Sequence, residues 1–358
     1  MPITLDYLRR LAVAQSLFPP TTLKRALHKL GFVQADPIRA PARAQDLMLR
    51  HRVKDYRAGD LERTYARLGI EEDFFINYGF VTRPLQALMH PRSAVGLPAA
   101  SRKKSQLLLE FVRERGIVHP REVDEHFSHG KVRNYWGGSS NATTHMLDAM
   151  HYRGLLRVAR RDAGIRIYAA HQHGPEPADP VERRARIDAI VDVAVRIYAP
   201  LPAPSLGYLV RRLRLAVPQW HRELKSALER ARQRLAHAHV DGIDWYWPEQ
   251  HKARPSSDVV RLLAPFDPVV WDRSRFELLW GWVYRFEAYT PAPKRKLGYY
   301  ALPLLWRDRV IGWGNISVKN GKLSSEFGFV DSPPRDRAFQ RELEAELHRM
   351  RTFLSLSE

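Results

Sequence analysis

The sequence predicts an α+β fold: tandem winged-helix (helix-turn-helix) units followed by a C-terminal β-sheet or barrel domain. Three observations predict it. A pattern of two short helical segments, a longer helix and a β-rich tail recurs three times. From about residue 256 the texture changes to aromatic and β-branched runs punctuated by prolines. Residues 336–353 then return to helical periodicity.

The middle repeat is the clearest. Residues 104–115 (KSQLLLEFVRER) carry apolar side chains at helical spacing and stop at Gly116, a usual C-terminal signal. Pro120 opens a short helix over 121–127. Ser139, Ser140 and Asn141 are N-cap candidates for a longer helix through His151, followed by Gly154. Residues 155–158 and 165–168 read as two strands joined by a basic tip that contains Arg160 and Arg161.

The first repeat has a helix over 5–17, a Pro19-Pro20 break, and Thr21 or Thr22 capping 23–30 before Gly31. The third has helices over 181–198 and from Ser205, then a long helix over 219–239, with Trp245, Tyr246 and Trp247 on a strand. In the C-terminal part, 276–290 and 297–321 read as strands, Asn320-Gly321 as a hairpin turn, and 336–353 as a closing helix. The expected divisions are 1–99, 100–175, 176–255 and 256–358.

Lys and Arg number 58 against 39 Asp and Glu, a formal charge of +19 spread along all 358 residues, which favours a polyanionic partner in a broad groove. No run approaches the roughly 18 consecutive apolar residues of a membrane span. The amino terminus (MPITLDYLRR) has no cationic segment leading into an apolar stretch, so a cytoplasmic protein is expected. Zero cysteines exclude disulfides, thiolate metal sites and cysteine nucleophiles. Carboxylates, amides, histidines, hydroxyls and lysines remain for chemistry.

The most suggestive polar cluster lies in 31–53, GFVQADPIRAPARAQDLMLRHRV. Gln34 and Asp36 stand two apart, and in an extended stretch such residues point to the same side. Arg39, Arg43 and Arg50 lie close by. Two readings fit: Asp36-Pro37 is a turn with Gln34 a satisfied, half-buried amide, or the pair positions a water beside a carboxylate, as hydrolysis through an oxocarbenium-like transition state requires. Spacing leaves both open.

Segment 32–53 (FVQADPIRAPARAQDLMLRHRV), together with 262–275 (LLAPFDPVVWDRSR) and 289–305 (YTPAPKRKLGYYALPLL), resembles the winged-helix DNA glycosylase family, the AlkZ and AlkX (YcaQ-like) group. That family removes alkylated bases and unhooks interstrand crosslinks. The similarity runs across nearly the whole chain. In the family a Gln-x-Gln or Gln-x-Asp motif carries catalysis, and Gln34-Ala35-Asp36 matches the second form. The resemblance implies a YcaQ-like, monofunctional glycosylase that acts as a monomer, without cofactor, on double-stranded DNA bearing alkylated purines or crosslinks, in an open site. Asp36 would stabilise the developing oxocarbenium ion and activate water, and Gln34 would hold that water. No lysine lies in the motif, the nearest being Lys24, Lys29 and Lys54, which speaks against a Schiff base.

Lys294, Arg295 and Lys296 form a compact basic tip between strand-like runs, either a solvated turn or a reach toward phosphates. Arg39, Arg43, Arg50, Arg160 and Arg161 are the other DNA-contact candidates. Arg157, Arg211, Arg212 and Arg214 are weaker ones. His171, His173, His237 and His239 lack a third ligand at a recognised spacing and read as surface histidines rather than a metal site. Gly137-Gly138-Ser139-Ser140 is either a phosphate cradle or a plain loop and cap. The tryptophans at 271, 280, 282, 306 and 313 read as core. A non-catalytic winged-helix regulator is the competing function.

Overall fold

A computed structural model of the chain describes residues 2–92, 99–127, 131–133 and 139–356. Gly137 and Gly138 of the expected phosphate cradle lie outside these residues. Two compact units emerge: one of Met1–Leu61, Val191–Val210 and Leu228–Glu358, the other of Glu62–Ile190 and Arg211–Ala227.

The first unit opens with the helix Leu5–Ser16, whose N-terminus is capped by Thr4 and whose buried face is Leu8, Leu11 and Ala12. Thr22 caps Leu23–Leu30, accepting the Arg25 backbone N–H at 3.4 Å. Gly31 then reverses the chain at φ +78°, and a Cβ there would press to 3.1 Å of Val193 Cγ1. The turn feeds the buried strand Phe32–Gln34, a short loop, and the fully buried helix Ala44–Leu49.

The C-terminal part of this unit is an antiparallel sheet of Val260–Leu262, Leu302–Trp306, Arg309–Lys319 and Lys322–Phe329, in that order. Along 309–319 buried and half-exposed positions alternate, the period-two signature of a sheet with one covered face. Asn320 and Gly321 both sit at positive φ between Lys319 and Lys322, as a two-residue hairpin demands. Among the described residues the sheet is open, so the barrel alternative is set aside.

The strand expected over 276–290 is also corrected. Arg273–Trp280 is a helix, because the Asp272 carboxylate accepts the Arg275 N–H at 3.1 Å and Gly281 supplies the left-handed stop at φ 78°. Phe276, Leu279 and Trp280 recur at helical spacing on its buried face. The closing helix, Arg337–Leu354, begins on Asp336. Buried Glu346 on it accepts the Leu262 N–H at 2.9 Å, tying the helix to the first strand of the sheet.

The same unit holds a three-stranded sheet of Leu201–Pro202, Ile243–Trp247 and Ala236–Val240. The single helix expected over 219–239 is therefore two pieces and a strand. Pro218–Glu223 is a tight helix with non-helical Trp220, Leu224–Arg234 is α-helical, and His237 and His239 lie on a strand. The Asp241-Gly242 turn, at φ 52° and 77°, makes that hairpin.

In the second unit the helix Ala99–Arg115, the strand Ile117–Val118 and the helices Pro120–Phe127 and Ala142–Tyr152 precede a hairpin of Leu156–Asp162 and Ile165–Ala170. Ser139–Asn141 is a short strand, and Asn141 immediately precedes the helix Ala142–Tyr152. Leu108, Val112, Val118, Val123, Leu147, Met150 and Val158 form the core. A second hairpin, Ile70–Phe74 with Tyr78–Thr82, buries three consecutive acids, Glu71, Glu72 and Asp73. Each has a cationic partner: Arg157 on Glu71 at 2.9 Å, Arg161 on Glu72 at 2.6 Å, and Arg92 on Asp73 at 2.8 Å.

His173 departs from its expected surface role. Its ring stacks on buried His90 at 4.0 Å and 5°. His237 and His239 are outward: His237 lies over Tyr246 at 5.9 Å, and His239 meets Asp244 at 2.8 Å.

Candidate active site

Gln34 ends the strand Phe32–Gln34 and is only 5% exposed, so its amide needs partners within the protein. The Trp271 indole N–H donates to Gln34 Oε1 at 3.1 Å. Trp271 in turn packs on Tyr198 at 4.9 Å and on the exposed Tyr208 at 6.0 Å. Segment 262–275 is thus the wall against which the motif is built.

Two buried arginines fix that wall. Arg52 forks onto Asp267 at 2.8 and 3.0 Å and also donates to the carbonyls of Ser16 and Met48. Arg275 donates to the carbonyls of Tyr198, Pro268 and Val269. Carbonyl acceptors and one bidentate carboxylate give these cations partners away from water, with Arg275 Nε left unpaired.

Asp36 is half-buried. Its backbone N–H donates to Gln45 Oε1 at 3.3 Å, and its carboxylate accepts the Ile38 N–H at 2.9 Å. Burial pushes its carboxyl above the ordinary aspartate value, and the Ile38 N–H offsets only part of that. The first of the two sequence readings therefore describes real bonds. Asp36-Pro37 is a side-chain-stabilised turn and Gln34 Oε1 is satisfied, and the carboxylate that makes the turn is half-buried with its pKa above the ordinary aspartate value.

Two phenols feel its charge. Burial first, and the Asp36 carboxylate second, raise the hydroxyls of Tyr289 and Tyr300. Tyr289 is 77% exposed, whereas Tyr300 is buried. Tyr300 lines a groove of about 610 Å³, with Arg39, Pro41, Tyr299, Asn315 and Lys319 also in its walls.

The basic candidates divide by environment. Arg39 is exposed on the groove. Lys294 and Lys296 are exposed, while Arg295 donates to the Thr290 carbonyl at 2.8 Å and covers the Tyr299 ring at 5.0 Å. Their loop is not the hairpin tip that the flanking runs predicted. Residues Ala292–Lys294 form one helical turn, and Pro291 and Pro293 lack the N–H groups a ladder needs. The Glu287 carboxylate organises the end of the loop, accepting the N–H groups of Lys296, Leu297 and Gly298 at 2.9, 2.7 and 3.2 Å. Burial alone would raise its carboxyl, and the three N–H bonds prevail and hold it below the ordinary value.

Arg43 precedes the helix Ala44–Leu49, where its charge acts on buried Asp46. Arg50 is in a buried ion pair with Glu346. In the second unit Arg160 is exposed and Arg161 is held by Glu72. Gln45, Trp271 and Tyr300 were missed as site residues. Trp271 and Tyr300 lie in segments marked by resemblance, but only packing shows what they touch. Among the described residues no group of three or more His, Asp or Glu is placed to hold a metal ion, and no helix is long and apolar enough to cross a membrane.

A half-buried carboxylate with a raised pKa thus stands two residues from an amide clamped by an indole, a pair whose chemistry suits orienting and activating a water. The chain belongs to the AlkZ-like DNA glycosylase family, whose model, described as DNA glycosylase AlkZ-like, matches residues 27–353. Its fold is similar to that of the Streptomyces sahachiroi DNA glycosylase AlkZ, with a TM-score of 0.64 over 100% of this chain and 98% of that one, at 15% sequence identity.

Proposed function

We propose that this protein is a monofunctional DNA glycosylase that hydrolyses the N-glycosidic bond of cationic, N7-alkylated purines and unhooks interstrand crosslinks built on such bases. The observation that carries the reading is Asp36, a half-buried carboxylate with a raised pKa in the Gln-x-Asp motif. Alkylation at N7 makes the purine a cation and a good leaving group, so the protein's task is the sugar. A desolvated carboxylate stabilises developing positive charge more strongly than a hydrated one and is a better base toward water. With Gln34 Oε1 occupied by Trp271, the amide nitrogen is the end that donates to the attacking water.

Arg39, Lys294 and Lys296 contact phosphates beside the groove, and Arg160 does so from the hairpin of the second unit. Arg50 and Arg161, paired with Glu346 and Glu72, serve the folded frame. The order helix, strand, helix, helix, hairpin in the second unit supports a winged-helix module there, one of three in tandem over 1–99, 100–175 and 176–255. The protein acts as a monomer on double-stranded DNA in the cytoplasm.

The test is release of free 7-methylguanine from methylated duplex, followed by chromatography. Asp36→Asn is expected to lower release by about 10²–10⁴-fold, the range of a lost general base, with duplex binding kept. Because the carboxylate must be ionised, the wild-type rate rises with pH through a limb lying above the ordinary aspartate range. Binding of methylated and unmodified duplex alike with no base released over hours would leave the regulator reading in its place. Full activity in Asp36→Asn would move the centre elsewhere.

A further inference from the structure

Tyr300 is 3% exposed, and its hydroxyl has no hydrogen-bond partner. Buried hydroxyls are nearly always paired, so an orphan one in a well-packed setting calls for a cause. The ring has no freedom to find a partner. It meets Phe286 edge-on at 5.3 Å and 86°, and next to it the Ala301 carbonyl accepts the Tyr284 hydroxyl at 2.7 Å. Upstream, the Glu287 carboxylate grips the chain at Lys296, Leu297 and Gly298. The backbone on both sides of Tyr300 is therefore pinned, and the phenol is held in place by its surroundings.

Its position is informative. Tyr300 lines the groove together with Arg39, three residues beyond Asp36. The groups acting on its hydroxyl are Asp36, Tyr284, Arg273 and Tyr289, and among these the Asp36 charge acts most strongly. The Asp36 charge acts on a hydroxyl that makes no hydrogen bond to it, and a water between the two groups would satisfy the orphan O–H.

We propose that Tyr300 is a positioning residue for the glycosidic hydrolysis, its hydroxyl donating to the nucleophilic water and holding it against Asp36. This role rests on Asp36 being the catalytic carboxylate. In the step, the water oxygen bonds to the sugar C1′, and the C1′–N bond breaks with its electron pair leaving on the base. The water proton passes to Asp36, and Tyr300 keeps its own proton throughout.

Tyr300→Phe, which keeps the ring on Phe286, is the variant to make. Single-turnover release of 7-methylguanine is expected to fall roughly tenfold, the loss that one hydrogen bond carries. The Kd for duplex containing an abasic site should stay within twofold. The acid limb of the rate profile should move to higher pH, because Asp36 loses a donor dipole reaching it through the water. The Tm should stay level or rise, since deleting an unpartnered buried hydroxyl removes nothing that stabilises the fold. A rate within twofold of wild type overturns the inference, as does a rate that falls only together with Tm. Failure of the Asp36 assignment itself is distinct: it shows as base release surviving Asp36→Asn, or as none from the wild type.

Discussion

At the scale of single residues the Gln34 amide depends on one indole. Trp271 is the donor that occupies Gln34 Oε1, and it sits on Tyr198 and Tyr208. Trp271→Phe keeps an aromatic ring there and deletes the N–H. Removing one partner from a buried amide costs about 1–3 kcal/mol and frees the amide to rotate. The expected outcome is a lower Tm by scanning calorimetry together with roughly tenfold slower excision, which is one misplaced hydrogen bond in the barrier. Unchanged excision would show that the Gln34 orientation is irrelevant to the chemistry. Asp36 behaves oppositely. Its carboxyl is raised on folding, so the folded state binds its proton more tightly than the unfolded chain and is penalised once the group ionises. Asp36→Asn should therefore raise Tm at pH 7 while lowering base release as stated above, and the gain should fade as pH falls through the Asp36 pKa.

Elements decide which arginines stay exposed. Arg50 and Arg39 lie eleven positions apart in one basic segment and look alike in the sequence, but helix Arg337–Leu354 brings Glu346 onto Arg50, whose side chain is 4% exposed. Arg50→Met is expected to destabilise by about 3 kcal/mol, the lower end for a broken buried pair because Arg349 still reaches Glu346 at 3.0 Å. It should leave the salt dependence of DNA binding intact. Arg39→Ala and Lys296→Ala should each flatten the slope of log K against log salt by about 0.9 with Tm held. Equal slopes for all three variants would sink this division. The same contrast marks what was legible. Helices with caps and glycine stops, such as Leu23–Leu30, were readable because their signals are local. Arg273–Trp280 was not, since aromatic density argued for a strand and only Asp272 and Gly281 argued otherwise. The 219–239 stretch hid a strand because Ala236–Val240 gains its order from pairing with Ile243–Trp247.

Across the whole molecule, the motif Gln34-Ala35-Asp36 was visible, while its environment was not. The Trp271 clamp and the Arg52–Asp267 fork join residues more than two hundred positions apart, and no periodicity encodes such contacts. Histidine burial was likewise unreadable, and it has a consequence for stability. His51 and His251 in the first unit, and His90, His151 and His173 in the second, all have lowered pKa values, burial being the leading cause in each. His173 falls to about 3 and His251 to about 4. Below the ordinary histidine value of 6.5 the unfolded chain takes up protons that these folded-state rings refuse, so stability declines as pH drops from there toward the folded pKa values. Asp73 and Glu72, held low by Arg92 and Arg161 against the cost of their burial, add to the decline only where unfolded carboxylates titrate, near pH 4. Between pH 7 and pH 5 the histidines therefore dominate. Scanning calorimetry should find Tm falling over that interval. His173→Gln, which removes one titrating ring from the stack on His90, should make the fall shallower even where it lowers Tm at pH 7. A Tm level from pH 7 to pH 5, or a variant with the wild-type slope, would show that these rings take up protons without cost to the fold.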